Sequence, residues 1–202
     1  MNNIMNIRGV YMGIDIKKIL VNGMLELCQT INLETLTIQQ LLDHTGVSRQ
    51  TFYNHFLDKN DLIHYIYNTK IIPDFNNQKT IIDFYESLLI TFKNMQDYHV
   101  FMKQACMMDG QNCLRNYIFE HCKSFDMEWH QKLYGHKPMP DALKFATEYH
   151  ATASSSMTLS WILSDMPVSC EEMAKMIVDM RAIGMDVLFK DGESQQNPYL
   201  KN

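Results

Sequence analysis

Apolar residues recur at three- and four-residue steps through almost every long segment of the chain. This spacing gathers them on one face of an α-helix and does not fit the two-residue alternation of a half-buried strand. Ile16, Ile19, Leu20, Gly23, Met24, Leu27 and Ile31 set out the first such face, over about 15–31. Thr37-Ile-Gln-Gln40 is a capping box that opens a short second helix with Ile38, Leu41 and Leu42 inward. Gly46 accepts positive φ where the chain must turn. Ser48 caps a third helix, Arg49 to about Asn54, with Phe52 and Phe56 inward; Asp58 caps a fourth that stops before Pro73. Longer helices follow over roughly 79–95, 97–107, 111–134, 141–164 and 170–189, the last opened by a second capping box, Ser169-x-x-Glu172. The expected fold is all-α, with about nine helices. A three-helix helix-turn-helix unit occupies 15–58 and a helical body 59–190, flanked by a flexible tail over 1–14 and another over 191–202.

Charge restricts how such a unit could meet nucleic acid. The net charge is -5, yet residues 1–60 hold five Lys/Arg and five Asp/Glu, so the acidity lies in the rest of the chain. Any DNA contact therefore depends on placed residues rather than a broad positive field. The five cysteines (Cys28, Cys106, Cys113, Cys122, Cys170) form no C-x-x-C pair, and no long apolar h-region precedes them. Free thiols in a reducing cytoplasm are expected. No apolar run reaches the roughly 18–20 residues of a membrane span, so the expectation is a cytoplasmic protein with no membrane partner.

Between Ile38 and Phe56 the order is short helix, glycine turn, short helix, which projects the second helix outward to the width of a major groove. Arg49, Gln50, Thr51, Tyr53, Asn54 and His55 point out from it. Arg49, Gln50 and Asn54 suit base edges, while Thr37, Tyr53, His55 and Lys59 suit phosphates, with Ser48 and Thr51 beside them. Thr37 stands at a helix N-terminus, where free N–H groups attract an anion, and Lys59 would clamp the backbone as a point charge.

The whole string TIQQLLDHTGVSRQTFYNHFLDKNDLI, Thr37 to Ile63, resembles the TetR family of transcriptional regulators. The matching positions are Thr37, Gly46-Val47-Ser48, Phe52-Tyr53-Asn54-His55-Phe56 and Lys59. That resemblance implies DNA binding by the first three helices, a fourth helix linking them to an effector domain, and two late helices forming a homodimer interface. Helices 141–164 and 170–189 would fill that last role. Its candidate residues are Ala146, Tyr149, Ala153, Met157, Met173, Met176, Ile177, Met180, Ile183, Gly184 and Val187. Phe145-x-x-x-Tyr149-His150-Ala151 leading to Trp161 looks like a Firmicute-type effector domain of this family, one subgroup of which regulates dihydroxyacetone kinase genes through a protein co-regulator. The expectation is thus a dimeric regulator of palindromic operator DNA, a repressor released by a small effector. The alternative is an activator, or an adaptor working with a protein co-regulator.

Sixteen methionines are many for this length. Phe84, Leu88, Phe92, Met95, Phe101, Met102 and Trp129 would wall an adaptable effector pocket, or simply pack as core. Cys106, Cys113 and Cys122 with His99, His121 and His130 do not place three ligands on one helix face, so no metal site is expected. No G-x-S-x-G, P-loop or H-E-x-x-H occurs; neither catalytic residues nor a cofactor are expected.

Overall fold

A computed structural model describes residues 15–73, 83–134 and 137–184; both tails lie outside the described residues, as does Val187. So do the side chains of Trp129 and Ile183 and the burial of Gly184. The described residues form nine α-helices with one π-helical turn and no strand. The helices are α1 (Ile16–Leu27), α2 (Ile38–Thr45), α3 (Arg49–Tyr53), α4 (Lys59–Ile66), α5 (Phe84–Asp97), α6 (His99–Met107), α7 (Leu114–Tyr134), α8 (Asp141–Leu163) and α9 (Cys170–Gly184).

Side-chain caps set most of the boundaries. Asp15, Asp58 and Asp83 each accept from the backbone N–H three residues on, at the starts of α1, α4 and α5. At α2 the capping box is reciprocal: Thr37 Oγ1 accepts from the Gln40 N–H at 3.2 Å, and Gln40 Oε1 accepts from the Thr37 N–H at 2.9 Å. Gly46 ends α2 at φ 70°, a left-handed conformation in which a Cβ would be strained. Helix α1 stops at Leu27 rather than running to 31, because Cys28 caps it and Leu33 turns inward to a fully buried position.

Helix α4 also departs from the single helix expected up to Pro73. Its last stretch, Tyr67–Ile71, widens into a π turn in which the Ile72 N–H reaches back five residues to the Tyr67 carbonyl at 3.1 Å. Asn94 Nδ2 of α5 donates to the Ile71 carbonyl at 2.9 Å, and the buried Tyr67 points into the helical body.

Helix α8 is the backbone of that body: α7 and α6 pack along it, while α5 packs on α9. One contiguous core runs from Leu20 and Met24 of α1 through Phe52, Ile63, Phe92 and Met102 to Trp161 and Ile177. The first three helices and the body therefore share apolar contacts across the expected boundary at residue 58. Phe101 and Met102 belong to this core.

Candidate nucleic-acid interface

The inward faces of α2 and α3 bury Leu41, Leu42, Val47 and Phe52, with Phe56 following. That packing fixes what faces away. Arg49, Gln50, Tyr53, Asn54 and His55 are exposed along α3 and its C-terminal turn, Thr51 is half-buried, and Thr37 and Ser48 stand exposed at the two helix starts. Ser48 Oγ accepts from the Thr51 N–H at 3.1 Å and shares a hydrogen bond with Thr51 Oγ1 at 2.8 Å, which shapes the start of α3. Arg49 is oriented before any ligand arrives. Its guanidinium donates to Gln39 Oε1 at 3.0 Å, and Gln39 Nε2 donates to Asp43 at 2.7 Å. Leu57, which sequence reasoning passed over, is 84% exposed in the turn after α3.

Lys59 is placed differently from the phosphate clamp expected of it. Its ammonium donates to three backbone carbonyls of the α1–α2 loop: Leu33 at 2.7 Å, Leu36 at 2.9 Å and Glu34 at 3.0 Å. An ammonium has three protons, so no donor remains for a phosphate. Partial burial lowers its pKa, and the Glu34 charge opposes that shift. In sequence Lys59 looks like any exposed cation; only the fold brings residues 33–36 beneath it.

Four of the expected pocket residues, Phe84, Leu88, Phe92 and Met95, surround a cavity of about 90 Å³. Tyr67, Ile72 and Pro73 supply a wall from the π turn, and α7, α8 and α9 close the other sides. Phe101 and Met102 do not line it and are buried in the core instead. The lining also includes polar groups that periodicity could not single out, among them Asp126, His150, Ser154 and Thr158.

Asp126 and His150 open onto a buried charged cluster drawn from three helices. Arg181 of α9 sits 3.8 Å over the Phe84 ring, 3.5 Å from Asp126 and 2.6 Å from His130 Nε2. The tautomer of His130 follows from its neighbours. Thr147 Oγ1 gives its proton to the Leu143 carbonyl at 2.7 Å, so it accepts from His130 Nδ1–H at 2.8 Å, which leaves Nε2 to accept from Arg181. Burial first, then Arg181, pushes both His130 and His150 down to about 4. Burial also pushes Asp126 up to about 6, with Arg181 working against it. Burial likewise raises the Cys106 and Cys122 thiols to about 12, leaving little reactive thiolate. Among the described residues, no three His, Cys, Asp or Glu are arranged to hold a metal ion, and no helix is long and apolar enough to cross a membrane.

On the outside of α8 and α9, Tyr149, Met157, Met176 and Met180 are 48–70% exposed, and Ala153 is exposed among them. Phe145, 74% exposed, extends the stripe and was not among the expected interface residues. Ala146 is half-buried. Met173 and Ile177 turn inward and pack in the chain's own core, so they are not on that outer face.

An all-helical body carrying an N-terminal helix-turn-helix is the architecture of a one-component transcriptional regulator. Residues 82–181 match the family model TetR_C_8, described as a transcriptional regulator C-terminal region. Those residues, just under half of the chain, match that family's C-terminal region, and the all-helical fold is the TetR-like one. A curated relative, the HTH-type dhaKLM operon transcriptional activator DhaS of Lactococcus lactis subsp. lactis (strain IL1403), is 20% identical over 123 residues. That match spans 56% of this chain and 66% of the relative, just under two thirds of its length. The solved structure of a dihydroxyacetone kinase operon activator DhaS shares the fold with a TM-score of 0.66. It is 18% identical and covers 87% of this chain and 98% of its own.

Proposed function

We propose that the chain acts as a homodimer that reads a palindromic operator with α3. The observation that carries this is the exposed polar face of α3, with Arg49 pre-oriented by Gln39, mounted on a fully packed α2–α3 unit. Arg49, Gln50 and Asn54 read base edges; Thr37, Ser48, Thr51, Tyr53 and His55 meet phosphates. The outward stripe Phe145, Tyr149, Met157, Met176 and Met180 supplies the self-complementary apolar surface that a two-fold interface needs. Selecting random DNA with the purified full chain tests the reading. A recovered palindrome whose binding is lost on Asn54→Ala or Tyr53→Ala supports it, and recovery of no sequence, at low salt, rejects it.

A small effector would enter the cavity behind the π turn. At about 90 Å³ the cavity is smaller than the ~150 Å³ engineered cavity that takes benzene, so a larger molecule must part its walls. Such parting would act on Tyr67 and through it on α4, a shift between two populations of reading-unit orientation. Thermal-shift screening against small apolar and acidic compounds tests this, a uniform lack of response counting against it. A protein co-regulator is the alternative source of the same shift.

The family resemblance favours repression. Both named relatives are operon activators, and this favours activation as the second reading. Reporter transcription from a promoter carrying the selected operator, with and without the regulator, decides between them.

A further inference from the structure

The loop joining α1 to α2 is gripped from two directions. Lys59 of α4 holds its carbonyls, as described above. Gln104 of α6 holds it from the other side. Its amide nitrogen donates to the Cys28 carbonyl at 2.9 Å, and its amide oxygen accepts from the Leu33 N–H at 2.8 Å. Cys28 closes α1 and Leu33 is fully buried, so one planar amide spans both ends of the turn. Leu33 thereby has its N–H fixed by the helical body and its C=O fixed by α4. Gln104 itself stands on a firm base: its neighbours Ala105 and Cys106 are buried, and α6 packs along α8. Apolar contact alone would let this loop slide across α6, whereas two directed hydrogen bonds fix both distance and orientation.

We propose that Gln104 is a positioning residue for operator reading. It locks the α1–α2 loop, and with it α2 and α3, to the α6–α8 layer by a route separate from the covalent link through α4. Because α8 carries the outward apolar stripe, the lock makes the separation of two reading helices follow the geometry of the dimer. The role rests on the operator-reading function proposed above.

The test uses the full chain, the near-isosteric Gln104→Leu and the operator selected by the wild type. Amide exchange at Leu33 in the free protein is expected to quicken about tenfold or more, with Leu41 and Phe52 unchanged. Preference for the selected palindrome over one carrying an extra central base pair is expected to fall roughly threefold or more, while preferences within a half-site stay the same. Loss of general stability alone would weaken all operators alike and leave that ratio untouched. Gln104→Glu keeps the acceptor but not the donor and should show a smaller change in the same direction; it serves if the leucine variant does not fold. Unchanged exchange at Leu33, or retained spacing preference, overturns the role of Gln104 alone. If the wild type selects no DNA, the operator reading falls and this role with it.

Discussion

Replacing Lys59 by methionine keeps the aliphatic stem and removes the ammonium that holds the carbonyls of Leu33, Glu34 and Leu36. Water can reach the exposed Glu34 and rehydrate its carbonyl, while Leu33 and Leu36 are buried and lose the partner outright. A hydrogen bond to a charged group contributes about 1.5–3 kcal/mol, discounted here because Lys59 itself is only half-buried; two such losses come to about 3 kcal/mol. For a chain of this size that lowers the melting midpoint by roughly 6–12 °C. Lys59→Arg should recover little, since a planar fork does not fit three carbonyls converging on one point. Thermal unfolding followed by circular dichroism on the free protein measures this directly. An unchanged midpoint, coupled with a salt slope of DNA binding reduced by about one per half-site, would refute the reasoning. The ammonium would then be a phosphate contact after all, and its three carbonyl bonds dispensable.

Acidification should destabilise the body. His130 and His150 are held near 4 in the fold against 6.5 free, so stability present above 6.5 is lost as the pH falls toward 4. Asp126, raised to about 6, acts in the opposite sense and recovers part of the loss, leaving a net decrease of about 2 kcal/mol between pH 7 and pH 5. Urea midpoints at the two pH values check this, and a flat profile contradicts it. Gly23→Ala should cost about 1–2 kcal/mol, since its new Cβ would overlap Thr45 Cγ2 and press on Leu41 Cδ1 at 3.3 Å. Adding Thr45→Ser removes the offending methyl, and failure of that double variant to recover stability would show that the crossing of α1 and α2 is not what limits residue 23. Met180→Glu on the outer face should shift the chain toward monomer by sedimentation with little change in melting of the protomer; an unaltered mass would move the interface elsewhere.

What could be read in advance divides along a physical line. Caps are local, and Thr37 with Gln40, Gly46, Ser48, Asp58 and Ser169 with Glu172 marked helix ends that the fold keeps to within a few residues. The outward set on α3 was equally legible, because the inward set Phe52 and Phe56 fixes it by periodicity. Contacts between distant segments were not. Lys59 lies more than twenty residues from the carbonyls it holds, Gln104 more than seventy from Cys28 and Leu33, and Arg181 about fifty from Asp126 and His130. Apolar periodicity also says which residues face a helix stripe without saying what covers the stripe. Met173 and Ile177 met the chain's own core, whereas Met176 and Met180 remained outside.

The π turn at Tyr67–Ile71 has a consequence for rotational phase. A π turn takes up one residue more than an α turn, so everything before it is rotated by about 100° from where an uninterrupted helix would put it. Deleting one residue there would leave a continuous α-helix of nearly the same length. It would also swing the Lys59 end of α4 away from the α1–α2 loop while Ile72 and Pro73 stayed against the cavity. The residue count between 59 and 73 is therefore a constraint in its own right, beside the burial of Leu62, Ile63, Ile66, Tyr67 and Ile71 in the core.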